Sequence, residues 1–287
     1  MKRERDATER VVLVLGGGGI KGLTHVGAWR ALLEAGIVVD EIVGTSIGAL
    51  VGALIAAGEG PEAMTARALA LDKAEIVALN RWAVLLNGIR QPSVFHDVPL
   101  REYIDRVLPV ASFHELAVPL GVNAVDLGSG AMEWFGAGGR HDIGLADAVY
   151  ASCALPVFYP PAEIRGRLFV DGGVLDTLPI GRAMNRGATR VIAVDAGADG
   201  EVDAEAVLAQ GLVGIHQRVY QVMAQQRKRL KLAAWSGPPL TLVRPRLEGY
   251  GTFDFAQTAY FVEEGYRATR AALEAEGHSF SLREKEA

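Results

Sequence analysis

The sequence predicts an α/β protein with a mainly parallel central sheet flanked by helices, on three observations. Short β-branched runs alternate with stretches of helix length along the chain. The first of these runs, Val11–Leu15, is apolar at every position, as a strand buried on both faces must be. Half of the 287 residues are hydrophobic, enough to bury a large core without disulfides or metal. The length allows one or two domains. With no repeat, low-complexity segment or convincing linker, we expect a single domain over residues 10–276 with charged tails at 1–9 and 277–287.

The elements follow in order. After Val11–Leu15 and a run of glycines, residues 21–34 read as a helix that Gly36 stops. A short strand at 41–43 precedes an apolar helix at 47–57, and Pro61 opens another helix. Residues 100–108 look helical. Residues 120–127 and 131–135 read as strands joined through Gly128-Ser129-Gly130. A helix at 145–154 stops near Pro156, a strand at 167–170 runs into Asp171-Gly172-Gly173, and Arg190–Val194 is a further strand. Two long helices, 204–234 and 255–276, flank a last strand at Leu240–Val243.

Composition narrows the function. The net charge of −5 gives no reason to expect nucleic-acid binding. The lone cysteine, Cys153, rules out an intrachain disulfide and suits a reducing compartment. Residues 1–10 are charged and are followed by just five apolar residues, too short a run for a signal-peptide core. The longest apolar stretch falls well below the ~20 residues needed to span a bilayer, so a soluble cytoplasmic protein is expected.

Two motifs carry chemistry. Between a strand and a helix lies Gly16-Gly17-Gly18-Gly19-Ile20-Lys21-Gly22. Gly17, Gly19 and Gly22 spell the dinucleotide pattern G-x-G-x-x-G, with Asp40 downstream as a ribose partner, although Asp40 precedes its strand where the fold wants it at the end. Such a turn equally suits a phosphate or the oxyanion of an acyl intermediate, because its N–H groups point at negative charge. The second motif, Gly44-Thr45-Ser46-Ile47-Gly48, sits between a strand and an apolar helix, the setting of a nucleophile elbow. Its alternative reading is that Ser46 simply caps that helix.

A nucleophilic serine needs a base and an oxyanion site. None of His25, His96, His114, His141, His216 and His278 stands at an evident strand end with an acid to orient it, and His25 reads as structural. Asp171, at the end of an apolar strand and ahead of two glycines, offers another base if burial lifts its pKa from the usual ~3.9. The competing reading is an Asp-Gly turn.

Taken together these residues resemble the patatin-like phospholipases, specifically bacterial members related to the catalytic domain of neuropathy target esterase. The resemblance covers roughly residues 11–200, with an echo at Gly265-Tyr266. It rests on the glycine turn with Lys21 and Gly22, on Gly44-Thr45-Ser46-Ile47-Gly48, on Ala151-Ser152-Cys153-Ala154-Leu155-Pro156 and on Asp171-Gly172-Gly173, in that order. It implies a three-layer patatin-like fold and a Ser46–Asp171 dyad with no catalytic histidine, metal or cofactor. Gly18 and Gly19, with Gly17, would form the oxyanion hole, and Lys21 would favour anionic head groups or face solvent. The implied substrates are fatty-acyl esters of phospholipids or lysophospholipids. Other acyl esters and acyl transfer remain alternatives, as do, more remotely, a dinucleotide-dependent oxidoreductase and a non-enzymatic regulator. In one departure, many relatives carry asparagine where this chain has Thr177.

Two segments bear on the lipid. Residues 81–89, with Trp82, Leu85 and Leu86, read either as a core helix or as a lid or membrane-touching element. Arg227-Lys228-Arg229 with Lys231 is either a solvated helix face or an attraction to anionic lipid, and through it comes the expectation of peripheral contact with the inner membrane surface. Oligomeric state is left open.

Overall fold

The computed structural model describes residues 9–80, 90–197 and 200–277. The 81–89 segment and most of both charged tails lie outside the described residues. Strand β1 (Val11–Leu15) is central in the sheet, paired in parallel with β2 (Glu41–Gly44) on one side and β7 (Arg190–Val194) on the other. Beyond β2 lies β3 (Leu120–Asp126), and beyond β7 lies β8 (Leu240–Val243), both again parallel. The mainly parallel expectation holds for these five strands. At the β3 end the sheet turns antiparallel: β4 (Met132–Gly136) and β6 (Arg167–Asp171) both run against β3, and β5 (Ala162–Ile164) runs against β6.

The alternation of β1 explains the layering. Val11, Leu13 and Leu15 enter one core with α1 (Thr24–Glu34), α2 (Ile47–Ala56), α3 (Pro61–Ala70), α4 (Val98–Val107), α5 (Leu145–Cys153) and α9 (Thr258–Ala275). Val12 and Val14 enter a smaller core on the other face with Ile180 and Ala183 of α6 (Ile180–Asn185). A strand with apolar groups on both faces needs cover on both, and it has it. The echo at Gly265 is a packing requirement: a Cβ there would lie 2.0 Å from the Thr24 carbonyl, and one on Gly27 would lie 1.8 Å from that of Val262. These two glycines let α1 and α9 cross backbone to backbone.

The structure corrects two sequence boundaries. The first helix begins at Thr24, because Gly19–Leu23 forms a 3₁₀ turn that carries the glycine loop away from the sheet. The long helix expected over 204–234 is two, α7 (Ala204–Ala209) and α8 (Gly211–Ala233), broken where Gly211 takes φ +65°. Strand β5 and helix α6 went unseen. Among the described residues no helix is long and apolar enough to cross a membrane.

Candidate active site

The sheet brings the two motifs together through a shared edge of β3. Strand β4 occupies one edge over Gly121–Val125, so β2 and β6 must both use the other. There β2 pairs as far as Gly44 opposite Val122, and β6 begins with Asp171 opposite Ala124. Because β2 runs with β3 and β6 against it, their C-terminal ends face each other across Asn123. Ser46 and Asp171, 125 positions apart in the chain, leave those two ends.

After Gly44 the chain bends sharply into α2. Ser46 takes φ 56° and ψ −128°, a backbone that costs a residue with a side chain about 1–3 kcal/mol. Neighbours hold it there. Thr45 N–H donates to the Leu15 carbonyl at 3.0 Å, Ser46 N–H donates to Ser152 Oγ at 2.8 Å, and the Ser46 carbonyl accepts from Ala49 N–H at 2.8 Å. Glycines leave the space: a Cβ on Gly48 would stand 2.2 Å from the Leu15 carbonyl oxygen, and one on Gly44 would stand 2.5 Å from that of Gly48. This is a strained elbow rather than an ordinary cap, since Ser46 makes no side-chain cap to α2.

Ser46 and Asp171 line the same cavity, and the Ser46 hydroxyl lies near enough to the Asp171 carboxyl to hold its pKa down. That carboxyl is 2 % exposed and accepts the Gly173 N–H at 2.7 Å. Burial raises its pKa to about 6, against the opposing pull of Ser46 and Gly173. Gly172 cannot be larger, because a Cβ would fall 2.2 Å from Asn123 Oδ1. Cys153 lines the same cavity, where burial holds its thiol well above its ordinary range and keeps it a neutral S–H.

The glycine loop lies beside the elbow. Gly16 N–H donates to the Val194 carbonyl at 3.0 Å. The Gly16 carbonyl accepts from His25 Nε2 at 2.8 Å, and burial lowers that imidazole to about 4, keeping it neutral. His25 is thus a strut for the loop, as the sequence suggested. One expectation is corrected: Gly17 N–H is not available as an oxyanion donor, because it donates to the Thr177 carbonyl at 2.9 Å. Among the described residues none takes the N–H of Gly18 or Gly19. Gly18 is pressed against Ala196, whose carbonyl would lie 2.3 Å from an added Cβ, and Gly19 has φ +61°. Gly22 makes room for Ile47, whose Cγ2 would be 2.0 Å from its Cβ.

The dinucleotide alternative fails on geometry. Asp40 accepts the Val11 N–H at 2.8 Å, at the start of β1, the opposite end of that strand from the glycines. Lys21 does not face solvent either. It is 4 % exposed, its Nζ donates to the Tyr250 carbonyl at 3.3 Å, and burial, reinforced by Lys228, lowers it to about 8. Lys228 is itself buried and paired with Asp195 at 2.6 Å.

Sequence reasoning missed the support. Asn123 fills the gap between the converging strands, donating to the Asp176 carbonyl at 3.3 Å and accepting, at a long 3.5 Å, from the Ser152 hydroxyl that holds Ser46. An asparagine amid Leu-Gly-Val-Asn-Ala-Val is the signal that was there to read. The Asp171 loop, left in question by Thr177, is tied down from α8: Arg227 donates to the Val174 carbonyl at 2.6 Å, and Lys231 pairs with Asp176 and donates to the Leu178 carbonyl at 3.0 Å. Thr177 contributes its main chain.

Ser46 and Asp171 open into a cavity of about 380 Å³. Its lining joins apolar Leu50, Leu100, Leu155, Phe158 and Phe253 with polar Lys21, Lys228, Gln217 and Gln221. An ester with a long apolar acyl chain and a polar remainder suits such a mixed lining.

Comparison with known proteins finds the following similarities. The sequence profile of the patatin-like phospholipases matches residues 13–184. Patatin-like phospholipase domain-containing protein 6 of Mus musculus is 28 % identical over 296 aligned residues, covering 92 % of this chain and 20 % of the relative. An uncharacterized NTE family protein of Mycobacterium bovis is 36 % identical over 188 residues, covering 66 % of this chain and 49 % of its own. The chain therefore spans between a fifth and a half of these curated relatives. Among solved structures, VipD from Legionella pneumophila shares the fold, with a TM-score of 0.50 at 14 % identity over 93 % of this chain and 67 % of that one.

Proposed function

The chain belongs to the patatin-like phospholipase family, and from that premise we propose that it is a serine acyl hydrolase acting on fatty-acyl esters of phospholipids or lysophospholipids. The observation that carries the reading is the placing of Ser46 beside the buried Asp171 carboxyl in one largely apolar cavity. In the proposed reaction Asp171 accepts the Ser46 proton as Oγ attacks the ester carbonyl. The proton then passes to the departing alkoxide, leaving acyl-Ser46, and a water activated by the same carboxylate releases the fatty acid. A carboxyl near 6 is ionised at neutral pH yet basic enough to share a hydroxyl proton in the transition state.

The tetrahedral oxyanion would rest against the N–H groups of Gly18 and Gly19. Each such donor is worth about 3 kcal/mol when it strengthens toward the transition state. The N-terminus of α2 adds a fixed positive potential behind Ser46. The acyl chain would lie along Leu50, Leu155 and Phe158, and the head group toward Lys21.

The test is fatty-acid release from a panel of diacyl phospholipids, lysophospholipids and short-chain esters. Ser46→Ala should reduce turnover at least about 10⁴-fold and Asp171→Asn at least about 10²-fold, with both variants folded. Undiminished hydrolysis by Ser46→Ala would exclude the reading.

A further inference from the structure

Helix α8 is inside out. At about 100° per residue, Leu212, Ile215, Val219, Val222, Met223 and Leu230 fall in one stripe. That stripe faces solvent: Leu212, Val219 and Leu230 are 72, 53 and 61 % exposed. The opposite side of the helix is the one that carries Gln217, Gln221 and Lys228 into the protein. An ordinary surface helix has the reverse arrangement, so this face is built to be covered.

Charge indicates what covers it. The protein is acidic overall, with 34 carboxylates against 29 cations, yet from Ala206 to Leu247 there is no Asp or Glu and there are seven Lys and Arg. Of those on α8, Lys228 and Lys231 are answered by Asp195 and Asp176. Arg218 and Arg227 donate to the backbone carbonyls of Gly200 and Val174, with no carboxylate paired to them among the described residues, and Arg229 is exposed. On the helical wheel Arg218 and Arg229 border one edge of the apolar stripe and Arg227 the other. An apolar stripe edged by arginines matches a surface that is apolar within and anionic at its rim. A second copy of the chain would instead bring two such cationic helices together with no carboxylate between them.

We infer that α8 is an interfacial helix, whose outward face docks on an anionic lipid surface while its inner side walls the Ser46 cavity. The helix is tied to the Asp171 loop through Arg227–Val174 and to the end of β7 through Lys228–Asp195. The purpose of the lipid contact rests on the acyl-hydrolase reading, but its test does not.

The test is flotation with vesicles of phosphatidylcholine containing about one-third phosphatidylglycerol, or none, using the full chain in a Ser46→Ala background so that no lipid is consumed. The protein should float with the anionic vesicles and release with added salt. A triple variant, Leu212→Gln/Val219→Gln/Met223→Gln, should bind at least about tenfold more weakly; glutamine keeps the helix. With Ser46 intact, the same triple variant should match the parent on a soluble short-chain ester while losing activity on vesicles. Equal binding by parent and triple variant, equal binding to neutral and anionic vesicles, or a solution dimer that the triple variant dissolves would each overturn the inference. Loss of soluble-ester hydrolysis in the parent itself would instead sink the enzymatic reading and leave vesicle binding standing.

Discussion

At 2 % exposure the Asp171 carboxyl is held near 6 by burial, with the Ser46 hydroxyl and the Gly173 N–H pulling it back. A buried acid whose folded pKa lies above its unfolded value of 3.8 costs stability once it ionises. The cost is absent below about 4, grows as pH rises, and is complete above about 6, where it amounts to about 3 kcal/mol. Asp171→Asn should therefore unfold at nearly the same denaturant midpoint as the parent at pH 4 and become progressively the more stable of the two up to pH 7. Paired urea titrations across that range check it, and a pH-independent difference would mean that Asp171 is not the buried base described. Ser46 and Asp171 were legible in the sequence because each stands in a short motif. Ser152 as a holder of Ser46 and the thiol of Cys153 were not, because their roles exist once strands and helix have met.

At the scale of elements, the geometry that matters is the head-on approach of β2 and β6 along one edge of β3. The sequence placed Asp171 at a strand end, as open parallel sheets would have it, but β6 is antiparallel and comes from the opposite direction. Its partner β5 was too short to show a period, and the tight link through Arg165 and Gly166, both at positive φ, lacks the usual Asn-Gly signature. The elbow was read correctly because its glycines are demanded by sterics. Gly48→Ala would drive a Cβ into the Leu15 carbonyl, and a backbone oxygen cannot swing away as a side chain can. We expect a loss of at least about 2 kcal/mol in chemical denaturation together with lost hydrolysis. Near-native stability and turnover would show that the elbow is looser than described.

The molecule as a whole joins three segments distant in sequence: the glycine loop after β1, the elbow after β2 and the acid after β6. The alternation of apolar runs and helices announced the parallel half of the sheet, whose strands are buried on both faces. Nothing local could announce that α8 would break at Gly211 and turn its apolar stripe outward, since which face of a helix is inner depends on what it packs against. The ties from α8 to the Asp171 loop and to Asp195 likewise depend on the completed fold. In the proposed site one hydroxyl faces one buried carboxyl beside amides that no described residue takes, and covalent labelling reads that most directly. A fluorophosphonate probe followed by peptide mapping should place a single adduct on Ser46, forming faster as pH rises through about 6, strongly slowed in Asp171→Asn and missing from Ser46→Ala. An adduct on another residue, or equal labelling of all three proteins, would contradict the account.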